Sequence, residues 1–128
     1  MGDKGLLEIA KRDLIMIRSV MVDFSGDDIL LNLVAYHCQQ AIEKICKYSI
    51  SLKGKRYLRT HRVQDLLELM DEFEISYPKD LEMLAPSISV WATEARYNSN
   101  KCANLKIVKK VIKIIEEWIV EIEPQKRN

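Results

Sequence analysis

Tyr36-His37-Cys38-Gln39-Gln40-Ala41-Ile42-Glu43-Lys44 lies in the middle of a long helical pattern, and the reading of this stretch decides the fold. Residues three or four apart on a helix share a face, so His37, Gln40, Lys44 and Lys47 form one polar stripe. Tyr36, Cys38, Ala41, Ile42, Ile45 and Cys46 occupy most of the remaining circumference. A helix apolar over so much of its surface is buried in a bundle or covered by a partner. Its multi-donor polar side chains then need internal partners or a ligand.

The same periodicity continues on both sides. Leu6, Ala10, Leu14, Ile17 and Met21 step by three or four, which predicts a first helix over about 4–23. Ser25-Gly26-Asp27 breaks it, and Asp27 or Asp28 caps a second helix over about 28–52 that ends near Gly54. Thr60 is expected to cap a third helix, with the apolar stripe Val63, Leu66, Leu67, Met70 and Phe73. Tyr77-Pro78 closes the next turn, because the residue before proline avoids helical geometry. A fourth helical region covers about 79–98; Pro86 kinks it or starts its main part, and Ile88, Trp91, Ala92 and Ala95 face inward. After the break at Asn98-Ser99-Asn100, a last helix spans about 101–122, with Leu105, Val108, Val111, Ile112, Ile115 and Ile119 on one face. No stretch alternates with the period of a strand. The expected fold is all-α: an antiparallel four-helix up-and-down bundle with a short additional helix. It forms one domain over residues 1–128, with residues 1–3 and 124–128 as flexible ends.

Composition narrows the function classes. Of 128 residues, 48% are hydrophobic and 30% charged, which excludes a disordered chain. Twenty basic against 19 acidic side chains give a net charge of +1, too little for global attraction to nucleic acid. A local basic loop remains at Lys53, Lys55, Arg56 and Arg59. Cys38, Cys46 and Cys102 are odd in number and show no C-x-x-C spacing, so neither a disulfide framework nor a structural zinc site is expected. No P-loop, Rossmann glycine pattern or metal-ligand cluster appears, and no cofactor is expected. The first residues lack a secretory apolar core, and Leu6 stands where a myristoylation signal needs Ser or Thr. No apolar run approaches the ~18 residues of a membrane span, so a cytoplasmic location without membrane contact is expected.

Three pieces of sequence carry a resemblance: His37-x-Gln39-Gln40-Ala41-x-Glu43-Lys44, His61 at the start of the third helix after the basic loop, and Ala95-Arg96-Tyr97. Together with helix number and order they resemble the HEPN domain family over nearly the whole chain. The resemblance implies a prokaryotic bundle that forms a homodimer, often beside a separately encoded minimal nucleotidyltransferase. It also implies a cleft for a nucleotide or RNA, and a role as the toxin half of a toxin–antitoxin pair. The expected nucleotide- or phosphate-binding residues are His37, Gln40, Lys44, His61, Arg96 and Tyr97. Arg96 supplies a bidentate fork and Tyr97 a stacking face. Apolar surface on the second and last helices, beyond what the bundle can hide, independently predicts a homodimer.

Many proteins of the resembled family are metal-independent ribonucleases that use an Arg, a polar residue after it and a His a few positions on. Here Arg96 is followed by Tyr97 and then by no histidine through Cys102. Arg56-Tyr57-Leu58-Arg59-Thr60-His61 has the spacing, but in a loop and with Tyr second. A ribonuclease using Arg56 or Arg96 with His61 is therefore the alternative reading, with Arg56 and His61 as catalytic candidates. A purely structural interaction module is the third. Plainer roles stand beside each residue: His37 bonded to Gln40 within one helix, Lys44 and Lys47 as a solvated face, Glu43–Lys47 as an ordinary i,i+4 pair, and Arg96 in a structural salt bridge at a helix seam.

Overall fold

Asp27 accepts the amides of Ile29 and Leu30 through its side chain, and with two of the orphan donors of a helix start satisfied, the longest helix of the protein begins directly after it. The computed structural model describes residues 2–93 and 103–123. These form five helices: α1 Lys4–Val22, α2 Asp28–Leu52, α3 Val63–Glu72, α4 Leu81–Val90 and α5 Leu105–Ile122. No strand occurs among the described residues.

Helix α2 is the spine. Val34, Ala35, Cys38, Ala41, Ile42, Ile45 and Cys46 are all fully buried. They pack with Ile17 of α1, Leu66 and Met70 of α3, Ile88 of α4 and Val111 and Ile115 of α5. At roughly 1.5–3 kcal/mol for each large apolar side chain removed from water, this cluster is the main source of stability. α1 runs antiparallel to α2: the Asp3 amide donates to the Ser51 hydroxyl at one end (2.8 Å), and the turn through Gly26 joins them at the other. α5 runs antiparallel to α1, since Lys11 pairs with Glu123 and Arg18 with Glu116.

Two helix ends have the same hydrogen-bond pattern with different residues. After α2, the Gly54 amide bonds the Ser51 carbonyl and the Lys55 amide reaches the Ile50 carbonyl, with Gly54 at φ +69°. After α3, Glu74 and Ile75 bond Asp71 and Met70 in the same way, but the left-handed position is held by Glu74 at φ +56°. Glycine adopts this conformation freely; a residue with a Cβ does not.

Several boundaries depart from the sequence expectation. α3 begins at Val63 with Arg62 at its cap position; Thr60 instead accepts the Arg62 amide and donates to Asp65. The Val63 amide is satisfied from another helix, by the Ser89 hydroxyl. Among the described residues α4 covers Leu81–Val90, with Pro86 inside it on the exposed side, and a turn follows over 91–93; the rest of the expected region, 94–98, lies outside the described residues. Ile88 and Trp91 are buried as expected and Ala92 is half-buried, while Ala95 lies outside the described residues. α5 starts at Leu105, where Asn104 accepts the Ile107 amide. The surplus apolar surface lies partly on α2, as expected, and partly on α1. Ile9 and Met16 of α1 and Ile29 and Leu33 at the start of α2 are exposed, whereas the apolar side of α2 is covered and α5 leaves only Val120 clearly exposed among its large apolar residues.

Candidate functional site

The polar groups of α2 form one network of hydrogen bonds, closed at Asp13 by a longer ion pair. At one end, His37 Nδ1 meets Asp13 Oδ1 of α1 at 3.1 Å. A carboxylate can only accept, so the Nδ1 proton is assigned to His37. Asp13 Oδ2 is buried with no hydrogen-bond partner among the described residues and stands 4.0 Å from Lys44 Nζ. Lys44 donates to Gln40 Oε1 at 2.7 Å, and Gln40 Nε2 donates to Gln39 Oε1 at 2.7 Å.

Gln39 has no exposed surface. Its Nε2 splits between Glu43 Oε1 at 3.0 Å and the main-chain carbonyl of His61 at 3.1 Å. Glu43 then accepts His61 Nδ1 at 2.8 Å on one oxygen and Lys47 Nζ at 2.9 Å on the other. Burial alone would raise the Glu43 carboxyl, but the hydrogen bonds from His61, Lys47 and Gln39 outweigh it and hold the group below its ordinary range. Lys47 also lies 5.6 Å from the Tyr57 ring centre, a second tie between α2 and the loop.

This network does one mechanical thing: it fastens the loop before α3 onto α2. The loop then presents Lys53, Lys55, Arg56, Arg59, His61 and Arg62, all exposed. Lys55 rests over the Phe73 ring and Arg62 stands 3.7 Å from Asp65. The side chains of Lys53, Arg56 and Arg59 have no ion pair or hydrogen bond with any described residue. The His61 side chain is 73% exposed although its Nδ1 is engaged, so the ring is oriented and still reachable. Cations without carboxylate partners, gathered on a loop that is itself fastened, are what an anion needs.

The expected site residues are thus divided. His37, Gln40 and Lys44 share one stripe, but their partners are internal. His37 bonds Asp13 of α1 and not Gln40, the contact its plainer reading offered. His61 belongs to the other end of the network, beside the basic loop that contains Arg56. Arg96 and Tyr97 lie outside the described residues. Sequence reading missed Asp13, and it named Gln39 and Glu43 in the α2 stretch without placing them among the site residues. A signal existed for Asp13, which sits three residues after Ala10 and four before Ile17, at the edge of the apolar stripe of α1.

Other chemistry finds less support in the geometry. Cys38 and Cys46 are fully buried and burial pushes both thiols far up, so neither is a ready nucleophile. Among the described residues no group of His, Cys, Asp and Glu is placed to hold a metal ion, and no helix is long and apolar enough to cross a membrane. The family model described as HEPN domain matches residues 4–124 of this chain. Neither the curated proteins nor the solved structures contain a significant match.

Proposed function

The chain belongs to the HEPN domain family, and from that premise we propose that it is a binding module for the phosphates of a nucleotide or RNA, rather than an independent catalyst. One observation carries the proposal: Glu43 and Gln39 hold His61 and its backbone, which sets Lys53, Arg56 and Arg59 on a fastened loop with no carboxylate among the described residues to neutralise them. His61 and this loop are the proposed phosphate contacts. His37, Gln40 and Lys44 edge the same helix, and Arg96 and Tyr97 complete the proposed residue set. The family resemblance extends the reading to work with a nucleotidyltransferase partner, as the restrained half of a toxin–antitoxin pair.

Titration calorimetry with mono-, di- and triphosphate nucleotides and with short RNA tests this. Binding is expected to weaken with salt and to weaken sharply when Lys53, Arg56 and Arg59 are replaced by Ala. Loss in Arg96→Ala with the loop variant unaffected would move the site to the Arg96 segment. The same proposal includes a homodimer, formed through the exposed Ile9, Met16, Ile29 and Leu33. Light scattering is expected to give a dimer for the parent and a monomer for the double variant Met16→Glu/Leu33→Glu.

The ribonuclease reading draws on a separate observation. A carboxylate on Nδ1 is the arrangement that fixes a histidine tautomer for proton transfer, and Glu43–His61 has it at 2.8 Å. The parent protein is expected to leave RNA intact in metal-free buffer. Cleavage by the parent that disappears in His61→Ala would make Arg56 and His61 a catalytic pair.

A further inference from the structure

The groove between α3 and α4 is opposite in sign to the basic loop and has no part in the phosphate reading. It encloses about 210 Å³. Buried Leu67 and Ala85 form part of its lining, Tyr77 stands at one side, and Glu68, Asp71 and Glu82 complete it. None of these three carboxylates has an ion pair among the described residues, whereas Glu8, Asp65, Asp80 and Glu116 elsewhere on the surface all have one. The Tyr77 hydroxyl donates to Asp71 at 3.2 Å. Burial and then that bond push the phenol up to about 12, so it stays a neutral donor beside the carboxylates.

We propose that this groove is a docking site for a basic side chain, arginine or lysine, of a partner polypeptide. Size is the first argument: ligand pockets for small molecules run to roughly 300–1,000 Å³, so this groove suits one long side chain better than a whole nucleotide. Charge complementarity is the second, because three uncompensated carboxylates repel phosphate and attract a cation. Shape and polarity are the third. Arginine and lysine have apolar stems that lie along Leu67 and Ala85, and a charged head that can meet both the carboxylates and the Tyr77 ring. Met83, next to Glu82 on α4, is 84% exposed and offers a polypeptide an apolar contact beyond the groove.

The full-length protein would be titrated with the peptide acetyl-Gly-Arg-Leu-Arg-Gly-amide, with its citrulline counterpart and with spermidine. The arginine peptide is expected to bind, the citrulline peptide to bind much more weakly, and the double variant Glu68→Gln/Glu82→Gln to lose about fivefold in affinity, given the modest worth of each exposed charge pair. Circular dichroism confirms that the variant is folded, and its nucleotide binding at the basic loop should be unchanged, which separates this result from the phosphate reading. Equal binding of the citrulline peptide, an unaffected double variant, or spermidine that competes as well as the peptide would each overturn the proposal.

Discussion

Glu43 on α2 and His61 in the loop before α3 are 18 positions apart in the chain and meet at 2.8 Å. The contact links a buried carboxylate to an exposed imidazole. Its inner end is closed by Gln39 and Lys47, so Glu43 has a donor on every side that the described structure offers.

Glu43→Gln removes the charge while keeping the shape. It is expected to destabilise the protein by about 1–2 kcal/mol, the difference between charged and neutral hydrogen bonds at a buried position. Because the folded-state carboxyl is held below its ordinary value of 4.5, its stabilising effect is fully present above that value and is lost as pH falls through the lower folded-state value. Urea unfolding followed over falling pH should show this acid limb in the parent. The limb should be flattened in Glu43→Gln; an identical acid limb in both proteins would refute the assignment.

Replacing Lys53, Arg56 and Arg59 together by Ala should leave stability within about 0.5 kcal/mol, since exposed side chains without partners contribute little to folding. The slope of log affinity for single-stranded RNA against log salt should become shallower by about 2, at roughly 0.7 for each phosphate that a cation no longer neutralises. A slope that does not change would mean that these cations do not touch phosphate.

Ser89 links two helices: its hydroxyl accepts the Val63 amide that opens α3 and donates to Gln64. It serves as a cap supplied from α4, and Ser89→Ala is expected to cost about 1–2 kcal/mol, as the loss of a sequence-local cap does. Thermal unfolding would measure it, and a change below the noise would show the Val63 amide to be satisfied by water.

Glu74 occupies the left-handed position that ends α3, at φ +56°. Glu74→Gly should therefore stabilise the protein by about 1 kcal/mol, since glycine adopts this conformation without the steric penalty of a Cβ. Denaturant titration would reveal it as a higher midpoint with the same slope.

The helices are legible in the sequence because their signals are local. Asp27, the apolar steps of α2 and Gly54 all lie within a few residues of what they control, and α2 has the bounds that the periodicity predicts. The start of α3 is not legible, because its capping group, Ser89, comes from a distant segment and leaves no trace near Thr60. The polar site is half legible for the same reason. The pattern marks His37, Gln40 and Lys44 as one stripe, but helical spacing cannot say that the loop folds back over Gln39 and Glu43 and buries them. Glu43 and Lys47 do form the expected pair, yet only the arrival of His61 makes that pair part of a network.

The close of α1 onto α2 at both ends bears on the order in which the molecule assembles. Only the short turn through Gly26 separates these two helices, so bringing them together costs little loop entropy, whereas α5 must return across most of the chain to reach Arg18 and Lys11. The two-helix hairpin is expected to form early and α5 to dock late. Substitutions at Ile17 would then slow refolding, and substitutions at Ile115 would mainly quicken unfolding. Rapid-mixing kinetics in which Ile115 substitutions slowed refolding and Ile17 substitutions only quickened unfolding would reverse that order.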